Sequence, residues 1–346
     1  MPASKSVGVR HLALCLAATI LLSGPSFASS PIDQIRSYSK LPGLDLDKLK
    51  RGEIVAVRGP LGNFSRGVYA EGCFFVRRPL ETVGEALLRW DTSKHPELEV
   101  SVLREYTWLT LANVFDSLSL SSRQAKDAWL IDRTWQMFTS GTAGELFVTA
   151  SEASAARIAG QTSPEQRDTK ASEFWRKILA SRDKAMASGG LNALPRYSAG
   201  KIDISIRSEF DSLMKSAPQI AQHFQPLLRT KSFAENGTAP SESAPYWQKT
   251  VARGHSSLNA GVAFALKRST SWQAADCTYF TSDTYFMSVT LYELFPVGDG
   301  TLVWQSNFVS APFRGYLGGA DRFFAGKEIV KEMRKAIPLF RNDVER

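Results

Sequence analysis

The sequence predicts an α+β fold in which a curved antiparallel sheet packs on a long C-terminal helix, with a mostly helical middle segment. Three patterns support this prediction. Residues Val68 to Val76 alternate like a strand that stops shortly before Pro79. Four alternating segments then follow one another on short turns between residues 258 and 308. The third pattern is an amphipathic helical run from Ala320 to Phe340.

The first pattern describes a strand that leads directly into a helix. Apolar residues lie on both sides of Val68 to Val76, so we expect both faces of this strand to be covered. A proline has no N–H for a sheet ladder, but its fixed φ suits the first turn of a helix. Pro79 therefore predicts the start of a helix. Four apolar residues at helical spacing form its predicted buried face: Leu80, Val83, Leu87 and Trp90.

The middle of the chain, about residues 110 to 245, is predicted to be mostly helical. Its clearest helix runs from Asp168 to Ala187 and ends at a glycine pair. Residues 146 to 148 form at most a short strand. Residues 235 to 245 are polar and rich in turn-forming types, so we expect a loop there.

The last hundred residues predict an antiparallel meander followed by the terminal helix. Gly298-Asp299-Gly300 is a strong signal for a tight turn between the last two strands. An apolar helix must bury its stripe, and a sheet with an apolar face is the available partner. Six residues form that predicted stripe: Phe323, Ile329, Val330, Met333, Ile337 and Phe340.

Two segments of the chain resemble START-like proteins. FFVRRPLETVGEALLRW (residues 74–90) is similar to that superfamily's strand, proline and helix entry. TLYELFPVGDGTLVWQSNFVSAP (residues 290–312) with EIVKEMRKAI (residues 328–337) is similar to its closing hairpin and helix. The resemblance implies a helix-grip fold with a hydrophobic cavity between sheet and helix, and a hydrophobic small molecule or lipid as its ligand. The large helical middle segment departs from the small members of the group. It would cap the cavity, fill it or form a separate lobe.

The first 28 residues have the three parts of a secretory signal peptide. Lys5 and Arg10 precede the apolar run from Leu12 to Leu22, and small residues follow at Ser26 and Ala28. The run is shorter than the ~20 residues that span a bilayer as a helix. We therefore expect cleavage near Ala28 and a secreted or periplasmic protein without a transmembrane segment. A buried N-terminal helix is the alternative.

Residues 29–346 would then form a single α+β domain with a helical insertion at about residues 110–245. The chain has 42 basic and 34 acidic residues, without a run of five like charges, so a nucleic-acid partner is not expected. Cys73 and Cys277 lie in predicted strands. They could form a disulfide in an oxidising compartment or stay as buried free thiols. The oligomeric state is left open.

No catalytic motif accompanies the predicted fold. The sequence has no HExxH pair, GxSxG elbow or P-loop, and no Cys or His at metal-ligand spacing from another. We therefore expect no cofactor, no metal and no catalytic residue. Two alternatives to ligand binding stay open. One is a hydrolase- or cyclase-type enzyme that uses Asp276, Glu293 or His255 in the same cavity. The other is an envelope-associated scaffold without a cavity.

Aromatic residues are concentrated in the predicted meander. Such residues line apolar ligand sites together with a few polar groups. They also favour strands and fill hydrophobic cores, so core packing is the alternative. Seven residues are the candidate ligand contacts: Trp272, Asp276, Tyr285, Tyr292, Trp304, Asn307 and Phe308.

Overall fold

The fold was obtained as a computed structural model. It describes residues 29–108, 113–157, 163–199, 202–233, 237, 242–313 and 320–346. The predicted signal peptide lies outside these residues. Within them, an antiparallel sheet with helices on both faces confirms the predicted α+β class.

Ten strands are present in the described residues. They are β1 Val55–Arg58, β2 Gly67–Val76, β3 Val100–Glu105, β4 Tyr197–Ala199, β5 Ile202–Ile204, β6 Glu242–Ala252, β7 His255–Lys267, β8 Trp272–Thr281, β9 Met287–Val297 and β10 Gly300–Ser310. Eight form the main sheet in the order β1-β2-β10-β9-β8-β7-β6-β3, and β4 and β5 pair separately. Strands β6 to β10 form a meander, to which the early hairpin adds at β10 and β3 adds at β6.

Ten α-helices are present in the same residues. They are α1 Pro31–Tyr38, α2 Leu46–Lys50, α3 Leu80–Leu88, α4 Ala125–Ser140, α5 Ala150–Ala155, α6 Pro164–Gly189, α7 Ile206–Ser216, α8 Pro218–His223, α9 Gln225–Leu228 and α10 Ala320–Glu345. Helices α3 and α10 cover one face of the main sheet. The other helices pack on the opposite face.

The two faces of the sheet are distinguished by their residues. We call the cavity face the side that carries Asp276, Thr290 and Asn307, which are paired across β8, β9 and β10. We call the helical face the side that carries Ala275 and Leu291, which are paired across β8 and β9. The alternation of a strand sends successive side chains to opposite faces, so the meander contributes to two hydrophobic cores.

The strand and the helix around Pro79 form as predicted, but the helix ends at Leu88, before Trp90, and Leu80, Leu87 and Trp90 are only half-buried. Pro79 is the N-cap residue of α3, and Val83 and Leu88 of this helix are buried. Strand β2 is buried along its whole length, because one side packs against α10 and the other against the helical layer. Phe74 of β2 contacts Phe340 of α10, with ring centroids 6.3 Å apart. A curved sheet that holds a long C-terminal helix across one face is the helix-grip arrangement.

The helical middle segment packs on the helical face. Leu130 of α4, Trp175 of α6 and Phe210 of α7 belong to one hydrophobic core with Phe264 of β7. In the described residues, these helices therefore neither cap nor fill the space beneath α10, and they share a core with the sheet.

Strand β6 replaces part of a predicted loop. Residues 242 to 245 were expected to be irregular, but they pair with β7. A proline inside a run argues against a central strand because it cannot donate to the ladder. The carbonyl of Pro245 points towards the end of β3, where it accepts a hydrogen bond from the Tyr106 N–H. The nitrogen of Pro245 faces the same side. Because β3 has ended there, no partner strand needs this nitrogen to donate a hydrogen bond, and the proline is tolerated.

Candidate ligand-binding site

A cavity of about 700 Å³ lies between the cavity face of the sheet and helices α3 and α10. Strands β6 to β10 form its floor, and α3, β3 and α10 form its walls. This volume falls within the range of about 300–1,000 Å³ that is typical of small-molecule sites. The apolar side chains of these walls include Leu87, Leu88, Leu103, Ile329 and Met333, and Trp90 and Leu98 extend them between α3 and β3.

Small residues on the floor create the space. Ala263 of β7 lines the cavity directly. Ala265 and Ala274 are buried against Leu88 of α3, so this helix lies close to the sheet at one end. The neighbouring positions along β7 carry Val262 and Phe264, which are buried in the core of the helical face. Strand alternation therefore directs the larger side chains of β7 away from the cavity.

A glycine positions the central tyrosine of the floor. A Cβ added at Gly261 would lie 2.3 Å from Cζ of Tyr246, which is closer than any real contact. The ring of Tyr246 therefore lies over Gly261 on the neighbouring strand. Its hydroxyl donates a hydrogen bond to Asp276 Oδ1 at 2.6 Å and lies 3.1 Å from Thr278 Oγ1.

Polar groups converge in one row on the floor. Asp276, Thr290 and Asn307 are direct neighbours across three adjacent strands. Asn307 Nδ2 donates a hydrogen bond to Thr290 Oγ1 at 2.7 Å. The site thus combines mainly apolar walls with a polar floor, an arrangement that can orient an amphipathic molecule.

Burial changes the pKa values of the ionisable side chains on the floor. Burial raises the pKa of the Asp276 carboxyl from 3.8 to about 6, and the hydrogen bond from Tyr246 offsets part of this effect. Burial is also the main reason that the pKa of Tyr246 lies well above 10, with the Asp276 charge as the next cause. At neutral pH the Tyr246 phenol therefore keeps its proton and donates it to the carboxylate in a hydrogen bond.

A polar contact joins the two walls at one end. Asp343 Oδ2 near the end of α10 accepts a hydrogen bond from Trp90 Nε1 at 2.9 Å and lies 2.6 Å from His95 Nε2. Burial raises the pKa of Asp343, but the hydrogen bonds with Trp90 and His95 together outweigh it, so the pKa lies below its usual value. The terminal helix is thereby tied to the turn that follows α3.

Four of the seven candidate residues line the cavity. They are Asp276, Tyr285, Tyr292 and Asn307. Trp272 is on the same face of the sheet, but it is buried beneath α3: a Cβ at Gly84 of this helix would lie 2.1 Å from the Trp272 ring. The structure therefore brings Trp272 close to the site without making it part of the lining.

The other two candidates lie on the helical face. Trp304 is fully buried, with its ring 5.0 Å from that of Tyr38, and its Nε1 donates to Ser39 Oγ at 3.1 Å. Phe308 stacks on Tyr69 with centroids 5.0 Å apart. Both aromatic residues fill the core between the sheet and the helical layer, as the packing alternative expected.

The two cysteines are buried free thiols. Cys73 lies on β2 and Cys277 on β8, and β10 and β9 separate these strands. Three strand spacings amount to ~14 Å, whereas a disulfide needs Cα atoms within about 7 Å. The candidate disulfide is not formed in this structure.

The alternative catalytic residues are divided between the two faces. Asp276 faces the cavity. Glu293 lies on the helical face, where it contacts His223 and accepts a hydrogen bond from Ser271 at 3.0 Å. His255 Nε2 lies 2.6 Å from Asp283 Oδ2. His255 and Glu293 thus have partners outside the cavity.

Tyr246 is the floor residue that sequence reasoning missed. It lies on β6, which was not predicted because the preceding polar residues and Pro245 indicated a loop. The signal that could have found it is the run from Tyr246 to Val251, which is rich in strand-favouring types.

The described residues offer neither a metal site nor a membrane span. No group of three or more His, Cys, Asp or Glu side chains there is placed to hold a metal ion. No helix within those ranges is long and apolar enough to cross a membrane.

Comparisons with known proteins give a partial likeness. No family model and no curated protein matches the chain. Among solved structures, the chain is similar to one titled "Crystal structure of Ara h 8.0201", with 11% sequence identity and a TM-score of 0.21. The match covers 29% of this chain and 65% of that one, so the chain spans slightly less than two thirds of the length of that protein.

Proposed function

We propose that the protein binds a hydrophobic small molecule or lipid with a polar end in the cavity between the sheet and α10. The observation that carries this proposal is the cavity of about 700 Å³ with mainly apolar walls and a polar floor. The space lies beside the apolar side chains of Ala263, Leu88 and Met333. A bound molecule would supply packing partners for these side chains.

The walls would provide most of the affinity. Burial of apolar surface contributes about 25 cal/mol per Å², so a ligand that buries about 200 Å² of such surface would gain about 5 kcal/mol. The polar row on the floor would fix the orientation. The polar end would lie at Asp276, Thr290 and Asn307, and the apolar part would extend between α3 and α10.

A cavity-filling variant tests this proposal. Ala263→Phe adds a ring to the floor and should abolish binding of N-phenyl-1-naphthylamine, a neutral fluorescent probe of apolar sites. Ala155→Phe is the matched control, because it adds the same ring at an exposed position of α5. The control should bind the probe as the unmodified protein does.

Two results would count against the proposal. One is the absence of saturable probe binding to the unmodified protein. The other is equal binding to Ala263→Phe and Ala155→Phe, which would place the probe on the surface.

A second candidate is acid–base catalysis in the same cavity. The observation that favours it is the pKa of Asp276, raised to about 6, because a carboxyl with such a value can exchange a proton near neutral pH. In that case Asp276→Asn would leave ligand affinity in place while turnover of the bound molecule stops. Mass analysis of the ligand before and after incubation distinguishes turnover from simple binding.

A further inference from the structure

The charged residues around the cavity are mainly acidic, although the chain is basic. Asp276 lies on the floor, and Glu105, Glu328 and Glu332 lie on the walls. Arg253 is the one basic residue among the described residues that line the cavity. The whole chain, in contrast, has a net charge of +8. Acidic side chains therefore outnumber basic ones in the lining of the cavity.

The wall acids already have basic partners. The three ion pairs are Arg89–Glu105 at 3.7 Å, Lys331–Glu328 at 2.7 Å and Lys335–Glu332 at 3.0 Å. The Asp276 carboxylate differs from them. Among the described residues, its one hydrogen bond comes from the Tyr246 hydroxyl, and no Lys, Arg or His lies within ion-pair distance.

Asp276 is half-buried on the floor of the cavity, so its carboxylate has lost part of its hydration. Removing a charged group from water is unfavourable unless a counter-charge is close by. The hydroxyl of Tyr246 supplies a hydrogen bond to Asp276 but no charge. A neutral ligand would also leave the charge unbalanced, whereas a cationic group would balance it.

Three tyrosines line the cavity near this position. Tyr246 contacts Asp276 directly. Tyr292 is two residues along β9 from Thr290, which is the cross-strand partner of Asp276, so it occupies a diagonal position. Burial is the main cause that raises the pKa of Tyr285 and Tyr292, and the Asp276 charge adds to both shifts. Aromatic faces attract ammonium groups, most strongly when these are desolvated.

We propose that the ligand is an amphipathic amine, whose ammonium group pairs with Asp276 and lies among the rings of Tyr246, Tyr285 and Tyr292. This inference rests on the proposed function of the cavity. Ammonium donors that do not reach the carboxylate can bond the hydroxyl oxygens of Thr278 and Thr290. The apolar tail occupies the space along the walls.

Matched competitors test the charge requirement. Decylamine, 1-decanol and decanoate share a ten-carbon chain and differ in their polar ends. In displacement of N-phenyl-1-naphthylamine at pH 7.5 and low salt, decylamine should compete at least tenfold better than decanol, and decanoate should be the weakest. In Asp276→Asn, decylamine and decanol should compete within about twofold of each other.

A control variant separates local from general charge effects. Asp299→Asn removes one negative charge at the exposed turn between β9 and β10 and should keep the preference for the amine. Binding of decanol to Asp276→Asn shows that this variant retains a folded cavity.

The failures of the two proposals are distinguishable. Equal competition by decylamine and decanol in the unmodified protein would overturn the amine inference, and so would a preference that survives Asp276→Asn. If none of the three compounds displaces the probe, the proposed function of the cavity fails as well.

Discussion

Replacing Asp276 by asparagine should stabilise the ligand-free protein at neutral pH and have little effect at pH 4. Burial raises the pKa of this carboxyl from 3.8 to about 6. Between these values the folded protein retains a proton that the unfolded chain has lost, so stability falls as pH rises through this window. Such a pKa difference corresponds to about 3 kcal/mol. Because Asp276 faces a cavity that admits water, we expect a gain of about 1–3 kcal/mol above pH 6.

Asp276→Asn is suited to this stability test because it removes the charge of the carboxylate and keeps the shape of the side chain. The amide oxygen of the introduced asparagine can still accept the hydrogen bond from Tyr246. Urea unfolding of both proteins at pH 4 and pH 8, followed by tryptophan fluorescence, measures the difference. Other buried acids, such as Asp183 with a pKa of about 7, affect both proteins equally, so their contribution cancels. Asp299→Asn should change stability by less than about 0.5 kcal/mol at either pH.

Either of two results would refute this reasoning. Asp276→Asn could be no more stable than the unmodified protein at pH 8. Alternatively, its gain could be the same at pH 4 and pH 8. Both results would mean that Asp276 does not carry an unpaired charge in the folded cavity.

Asp343→Asn should lower the free energy of unfolding by about 1–2 kcal/mol, because it weakens the hydrogen bond that ties α10 to His95; an unchanged urea midpoint would contradict this. Gly261→Ala should cost about 1–3 kcal/mol, because the added Cβ meets the Tyr246 ring. The cost should shrink in a Tyr246→Ala background, and additive costs would show that the two residues are not coupled. N-terminal sequencing of protein from its native source should begin at Ser29, and an intact N-terminus would exclude the predicted signal peptide.

Local patterns in the sequence were sufficient to predict most of the sheet and the terminal helix. Pro79 fixes the change from strand to helix through its own geometry. The Gly298–Gly300 turn fixes the last hairpin, and the apolar stripe of α10 requires a covering sheet. These signals depend on neighbouring residues alone, so they can be interpreted without the tertiary structure.

The first strand of the meander, β6, was not predicted, because Pro245 is tolerated for a reason that depends on the tertiary structure. The nitrogen of Pro245 lies where β3 has ended, and the sequence pattern of β6 does not indicate where the neighbouring strand ends. Tyr246, whose hydroxyl donates a hydrogen bond to Asp276, was missed for the same reason.

The assignment of ligand contacts was limited for a different reason. Alternation along β10 already places Asn307 on the opposite face from Trp304 and Phe308, so these three residues could not all line one cavity. The sequence does not say which face meets the helical layer. That depends on the long-range packing of α4, α6 and α7 against the sheet.

Native mass spectrometry of the protein purified from its own compartment tests the central claim most directly. Occupancy of the cavity predicts a non-covalent adduct of a few hundred daltons that is present in the unmodified protein and in Ala155→Phe but absent from Ala263→Phe. A bare polypeptide mass under gentle ionisation, or an adduct that Ala263→Phe retains, would contradict the claim that this cavity holds a ligand.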